Sequence, residues 1–185
     1  MTAVDVVVYS VHGPVTAAAR TDSVRDVWAE VYGEPPFNKG PDDVATFLDG
    51  WPNRLRAPGF RLVLAELGDE PVGVIYGHRL RPGTPWWEGA LDPLPEGVAD
   101  ERPGRTVVIV DMLVRAPWRR RGVSRQLHAH YLAGRDEERV TLLVRPDNDP
   151  ARHAYEAWGY ERLGRNQPFP PDGTVFDSMV RPVVP

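Results

Sequence analysis

Residues 115–127 read RAPWRRRGVSRQL. Arg119, Arg120 and Arg121 stand directly before Gly122, and Gly122-Val123-Ser124 opens a stretch with helical spacing. A helix start leaves backbone N–H groups without partners and carries a partial positive charge, so it attracts anions. A glycine there lets a ligand approach the main chain closely, and guanidinium groups add charge-assisted bonds. The chemistry on offer is phosphate binding, although a solvated basic corner or a nucleic-acid patch would use the same residues. Neither G-x-x-x-x-G-K-[ST] nor a strand followed by G-x-G-x-x-G occurs, so a P-loop and a dinucleotide fold are unsupported. Cysteine is absent, which removes disulfides, thiolate metal ligands and a cysteine nucleophile. The five histidines lack metal-ligand spacing, no H-E-x-x-H exists, and no metal site is expected. The missing G-x-S-x-G disfavours a serine hydrolase.

The elements that must carry these residues follow from periodicity. VDVVVYSV (4–11) is rich in β-branched residues and predicts a first strand. Val24, Val27, Trp28 and Val31 fall on one helical face, with Thr21 to Ser23 as caps and Gly33 as a stop. Pro41 marks the first turn of a second helix, with Val44, Phe47, Leu48 and Trp51 on one face. FRLVLAEL (60–67) and PVGVIYGHRL (71–80) predict a hairpin across Gly68-Asp69-Glu70. Residues 81–105 form a long connection rich in proline and glycine, of a length usually functional or mobile, with Trp86 and Trp87 side by side. TVVIVDMLV (106–114) and VTLLV (140–144) read as buried strands. Between them lies a helix over about 122–135, with Val123, Leu127, His130 and Tyr131 on one face. A short helix at 149–158 stacks Ala151, Ala154, Tyr155 and Trp158, and strand-like segments close the chain near 160 and 174–182. Strand–helix–strand in the later half implies a parallel, right-handed crossover, and the hairpin implies antiparallel pairing upstream. The expected fold is mixed α/β with helices on both faces.

Arg119, Gly122 and Ser124, after a buried strand, form R-x-x-G-x-S, which resembles motif A of the GNAT superfamily of acyl-CoA-dependent N-acetyltransferases, usually Q/R-x-x-G-x-G/A. Ser124 departs from the usual Gly or Ala; its hydroxyl suits a phosphate oxygen or a helix cap. A second match follows the next buried strand: Asn148, Ala151 and Tyr155 in N-x-x-A-x-x-x-Y, then Gly159-Tyr160. The resemblance covers residues 60–162 well. It implies one acetyltransferase domain over residues 1–185, α/β, with a mixed, mostly antiparallel sheet whose parallel fourth and fifth strands splay apart. It also implies acetyl-CoA as co-substrate, its diphosphate on the amides of Arg120, Arg121, Gly122, Val123, Ser124 and Arg125, with Arg119 as the leading motif position. The pantetheine arm would pair with the backbone of Met112, Leu113 and Val114, and Asn148 and Ala151 would contribute to the cofactor site.

Carried over the same way, Tyr155 matches the family's general acid, and Asp111 lies on the fourth strand where several members carry an acid. A phenol titrates near 10 and a thiol near about 8.5, so hydrogen bonding to the emerging thiolate is the larger part of the role for Tyr155; a plain core aromatic is the other reading. A carboxylate near about 4 is a poor base for an ammonium without burial or a water chain. Asp111 equally suits fixing a strand or binding a cation, and Glu66 and Glu88 are the runners-up. Asn148 also suits a helix start. Trp86, Trp87 and Tyr32 could line an acceptor pocket or serve as hydrophobic anchors.

A chain of 185 residues with net charge −4 argues against a general nucleic-acid binder despite the arginine run. Lys39 is the single lysine; a GC-rich genome accounts for the bulk of the arginines, so their abundance is not evidence for function. Neither a membrane-length apolar run nor a signal peptide is evident, so a cytoplasmic protein is expected, without a nucleic-acid or membrane partner. The expected activity is direct transfer of an acetyl group to a primary amine of a small molecule or peptide. The alternatives are a non-catalytic acyl-CoA-binding or regulatory module and a transferase of a longer acyl group. Family members are often dimers, so the resemblance leaves a homodimer open.

Overall fold

The computed structural model describes residues 6–169, 171 and 173–183. The elements are β1 (Val8–His12), α1 (Pro14–Ala18), α2 (Thr21–Gly33), α3 (Pro41–Leu55), β2 (Arg61–Leu67), β3 (Glu70–Arg79), β4 (Thr106–Val114), α4 (Val123–Leu132), β5 (Arg139–Val144), α5 (Asp149–Ala157), β6 (Glu161–Asn166) and β7 (Phe176–Pro182). The sheet has seven strands in the order β1-β2-β3-β4-β5-β7-β6. Pairing is antiparallel in β1/β2, β2/β3, β5/β7 and β6/β7, and parallel in β4/β5. The parallel ladder joins only Thr106, Val107 and Val108 to Arg139, Val140 and Thr141. The mixed α/β architecture is the expected one.

Two compact units divide the chain: one runs to His78 and resumes over Val110–Gly134, and the other holds Arg79–Ile109 and the segment from Arg135 onward. In the first unit, α1, α2 and α3 cover one sheet face. Val24, Val27, Trp28 and Val31 of α2 meet Phe47 and Trp51 of α3 over Leu62, Leu64, Val74, Tyr76 and Leu113. Aromatic rings dominate this core, with Trp28 stacked on Phe47 at 4.8 Å and Trp51 edge-on to Tyr76 at 5.2 Å. Pro41 starts α3, and Gly40 N–H donates to the Asp43 carboxylate at 2.9 Å, securing its first turn. The opposite sheet face carries α4, whose Val123, Leu127 and Tyr131 are buried. A Cβ on Gly73 of β3 would lie 3.1 Å from Leu127 Cδ1, so glycine permits this close helix–sheet approach. Arg61 ends α4 by donating to the carbonyls of Tyr131 and Ala133, both at 2.8 Å.

Several boundaries differ from expectation for physical reasons. The first strand begins at Val8, and Val4 and Asp5 of the expected strand lie outside the described residues. The helix α1 was not expected, since five residues carry no measurable period. On α4 the fourth buried residue is His128 rather than His130, whose ring stacks on Tyr9 at 5.1 Å instead.

The second unit is built round β5, β6 and β7 with α5, and two buried carboxylates organise it. Glu101 accepts from Trp87 Nε1 at 3.0 Å, Thr106 Oγ1 at 2.8 Å and Arg139 Nη2 at 2.9 Å. Glu137 pairs with Arg79 at 2.6 Å and Arg135 at 2.9 Å. The long 81–105 connection is pinned: Leu91 N–H donates to Arg165 O, Gln167 N–H to Gly89 O, and Asp92 takes the Arg165 guanidinium at 2.8 Å.

Candidate functional site

The turn after β4 is built from short-range constraints. Pro117 sits in a single 3₁₀ turn, Ala116–Trp118, which turns the chain out of the strand. Arg120 (φ 59°) and Gly122 (φ 81°) both adopt left-handed backbone. Glycine holds that conformation freely, whereas an arginine there is strained by about 1–2 kcal/mol. Gly122 is the N-cap of α4 and no side chain caps the helix; Ser124 therefore sits inside the first turn, not at the cap position. The first intrahelical bond is Gln126 N–H to Gly122 O at 3.1 Å. The amides of Val123, Ser124 and Arg125 precede it, so the helix offers them no acceptor. A Cβ at Gly122 would meet no atom within 4 Å, so the turn is uncrowded at that position. Such an uncapped start fits a diphosphate.

The arginine run divides by role. Arg119 donates Nε to Val114 O at 2.9 Å and Nη2 to Glu34 at 2.7 Å, bracing the turn against the end of β4 and the end of α2. Arg115 pairs with Glu30 at 2.9 Å and Glu70 at 3.2 Å. Arg120, Arg121 and Arg125 are exposed, and Arg121 lies over the Trp118 ring at 5.4 Å. Exposed guanidiniums beside uncapped amides reinforce an anion site.

Just after β4, Arg115 N–H donates to Val72 O of β3 at 3.0 Å. Alternation then directs the polar backbone of Leu113 toward β3 as well, and that of Met112 and Val114 away from it. Leu113 O accordingly lies 3.0 Å from where a Gly73 Cβ would be. Of the three residues expected to face a pantetheine arm, Met112 and Val114 have that direction and Leu113 does not. The Val114 carbonyl is already engaged by Arg119, which leaves its N–H.

Asp111 is half-buried, on the same sheet face as Leu113. Tyr32 of α2 donates its hydroxyl to one carboxylate oxygen and Tyr76 of β3 donates to the other. Dehydration by the surrounding aromatic core pushes the Asp111 carboxyl up from its ordinary value, with the Tyr32 and Tyr76 hydroxyls and the Arg54 charge pulling against that rise. Burial, and then the Asp111 charge, drive the Tyr76 phenol well above its usual value, so it stays a neutral donor. Glu66 is committed to Arg20, and Glu88 is exposed. Neither has a comparable setting. Tyr76, Trp28 and Arg54 carried no chemical signal in the sequence, because an inward strand residue and helix-face residues look like core.

In the second unit, Asn148 caps α5, its side-chain oxygen accepting from Ala151 N–H at 3.3 Å. Tyr155 is buried in the last turn, edge-on to Trp158 at 5.7 Å and Tyr160 at 5.4 Å. Gly159 (φ 87°) then ends the helix, with Tyr160 N–H reaching back to Tyr155 O at 3.0 Å. The spacing from Asn148 to Gly159 is thus the length of one capped helix. Trp87 is a buried anchor, bonded to Glu101 and under the Arg139 guanidinium at 5.2 Å, rather than an exposed pocket wall. Trp86 is half-buried.

The family model described as the acetyltransferase (GNAT) family matches residues 22–160. The chain belongs to that family. Its fold is similar to that of Ard1 from Thermoplasma volcanium, at 17% identity and TM-score 0.63, with 97% of this chain and 99% of that one covered. It is also similar to an aminoglycoside 6'-N-acetyltransferase complexed with coenzyme A, at 14% identity and TM-score 0.64, covering 96% and 98% of the two chains. A third is Arabidopsis thaliana Naa50 in complex with the bisubstrate analogue CoA-Ac-MVNAL, at 17% identity and TM-score 0.58, covering 94% and 97%. A sequence search of curated proteins finds no match. GNAT acetyltransferases use acetyl-CoA, and the protein is by class an acyl-CoA-dependent acyltransferase. No helix among the described residues is long and apolar enough to cross a membrane.

Proposed function

We propose that the protein moves an acetyl group from acetyl-CoA directly to a primary amine of a small molecule or peptide in the cytoplasm. The observation that carries this is the uncapped start of α4: a left-handed, uncrowded Gly122 and the free amides of Val123, Ser124 and Arg125 behind it. These amides, together with those of Arg120, Arg121 and Gly122, donate to the diphosphate, and the Arg120, Arg121 and Arg125 side chains add charge. Arg119 acts as a brace through Val114 O and Glu34. Acetyl-CoA supplies the thioester acyl group. Met112 and Val114 pair through their outward backbone groups with the pantetheine arm, and a backbone N–H of that strand polarises the acyl oxygen, a contribution of about 3–4 kcal/mol in comparable sites. Asp111, held by Tyr32 and Tyr76, takes the proton from the acceptor amine; its raised pKa makes it a better base than an exposed carboxylate. Tyr155 donates a hydrogen bond to the leaving sulfur, a role assigned by its place in N-x-x-A-x-x-x-Y, and Asn148 and Ala151 support it from the start of the same helix. Residues 1–185 are taken as one acetyltransferase domain because the family match includes parts of both compact units.

The test is a thermal-shift titration with acetyl-CoA, followed by an amine panel monitored for free thiol and for amide product by mass spectrometry. Gly122→Glu should abolish acetyl-CoA binding, whereas Tyr155→Phe should keep binding and lose turnover. Binding with no turnover on any amine, and no effect of Tyr155→Phe on any property, would instead mark a non-catalytic acyl-CoA-binding module.

A further inference from the structure

Asp111 is distinguished from nearby carboxylates by its partners. Glu30, Glu34 and Glu66 are ion-paired with Arg115, Arg119 and Arg20. Asp111 is held by neutral donors, a phenol on each carboxylate oxygen. The difference matters for basicity. A guanidinium at contact distance depresses a carboxylate by about 1–3 pKa units and makes it a worse proton acceptor, whereas a neutral O–H fixes its position at a smaller cost. Each carboxylate oxygen has two lone pairs, so one hydrogen bond on each leaves another pair open.

The phenols are themselves immobilised. The Tyr32 ring packs against Trp28 at 4.8 Å and edge-on to Phe37 at 4.9 Å. Tyr76 is 1% exposed, edge-on to Trp51 at 5.2 Å and stacked on Phe60 at 6.5 Å. One donor comes from α2 and the other from β3, so the two together fix the plane of the carboxylate as well as its position. The groups that face Asp111 from the surrounding elements are Trp28 and Tyr32 of α2, Tyr76 of β3 and the Arg54 charge of α3.

We infer that Tyr32 and Tyr76 are positioning residues of the transfer reaction, clamping both oxygens of Asp111 so that its remaining lone pairs are presented to the acceptor amine. This rests on the function proposed above. Both hydroxyls favour the charged carboxylate, so removing either raises the pH at which Asp111 protonates and moves the acid limb of kcat/KM to higher pH.

The experiment uses the full chain and the variants Tyr32→Phe and Tyr76→Phe. The kcat/KM for the best amine of the panel is followed from about pH 3 to 9, a span that begins below the ordinary carboxylate value of about 4. In parallel, the Asp111 carboxyl is titrated by carbon NMR in protein labelled at the aspartate side-chain carbon, with Asp111→Asn identifying the resonance. Each variant should lose about tenfold in kcat at neutral pH, a fraction of a full general-base contribution. The KM for acetyl-CoA should stay unchanged, and both the acid limb and the NMR midpoint should move upward. Should Tyr76→Phe not fold, Tyr32→Phe tests the same carboxylate from a half-buried position. Turnover with superposed pH profiles and an unmoved midpoint overturns the clamp alone. A midpoint that rises while the wild type acetylates no amine overturns the transfer reading and the reaction role with it, and leaves the clamp as geometry.

Discussion

Gly122→Ala separates backbone conformation from steric fit at the start of α4. Gly122 holds φ 81° and ψ 0°, and a Cβ added there meets nothing within 4 Å. The new methyl therefore has room, and the cost lies in keeping an L-residue left-handed, about 1–2 kcal/mol. In a chain of this size each kcal/mol moves Tm by about 2–4 °C, which predicts a fall of roughly 2–8 °C. Relaxing the turn to relieve that cost would swing the amides of Val123, Ser124 and Arg125 away from their common direction. One hydrogen bond to a charged group contributes about 1.5–3 kcal/mol, so losing one weakens acetyl-CoA binding by roughly ten- to a hundredfold. Differential scanning fluorimetry gives the first number and isothermal titration calorimetry the second. Gly122→Asn is the control: asparagine enters left-handed backbone several-fold more readily than most residues and should recover much of the lost Tm. Wild-type Tm together with wild-type acetyl-CoA affinity in Gly122→Ala would refute the reasoning, because the turn would then neither need its conformation nor use it.

Three further outcomes are expected. Glu101→Ala removes the carboxylate under Arg139, Trp87 and Thr106, leaves a charge uncompensated in the second unit, and should cost about 3–5 kcal/mol in urea denaturation. Asn148→Ala deletes the cap of α5 and should cost about 1 kcal/mol, read as a small drop in Tm. Asp92 is held down at about 2 by the Arg165 side chain and then its backbone N–H. A carboxyl depressed on folding stabilises fully above the ordinary carboxylate range near about 4 and loses that contribution as pH falls toward about 2. Asp92→Asn should thus lower Tm at neutral pH, with the gap to wild type closing across that acid window.

Much of the architecture was legible because periodicity records burial. The spacing of Val24, Val27, Trp28 and Val31 placed α2, and the apolar run 106–114 placed β4 at its observed bounds. The arginine–glycine turn was legible too, since glycine before a helical period has few other uses. What was not legible was side-chain commitment. Arg119 reads like Arg120 and Arg121 in sequence, yet it spends its guanidinium on Val114 O and Glu34, contacts that depend on where β4 and α2 end. Trp87 reads like its neighbour Trp86, yet a carboxylate fourteen residues on, Glu101, draws it into the core.

Sequence alone determined the order of every element but α1, and the glycine turn that opens α4, because these depend on residues within a turn or two of one another. Only the tertiary structure decided that Asp111 would be held by neutral phenols rather than by an arginine. Tyr32 and Tyr76 lie 79 and 35 residues away along the chain, and nothing in local spacing states which distant side chains packing brings to one carboxylate. That choice of partner sets the charge and basicity of the group, so the chemical character of Asp111 is a property of the packed core and not of the strand that carries it.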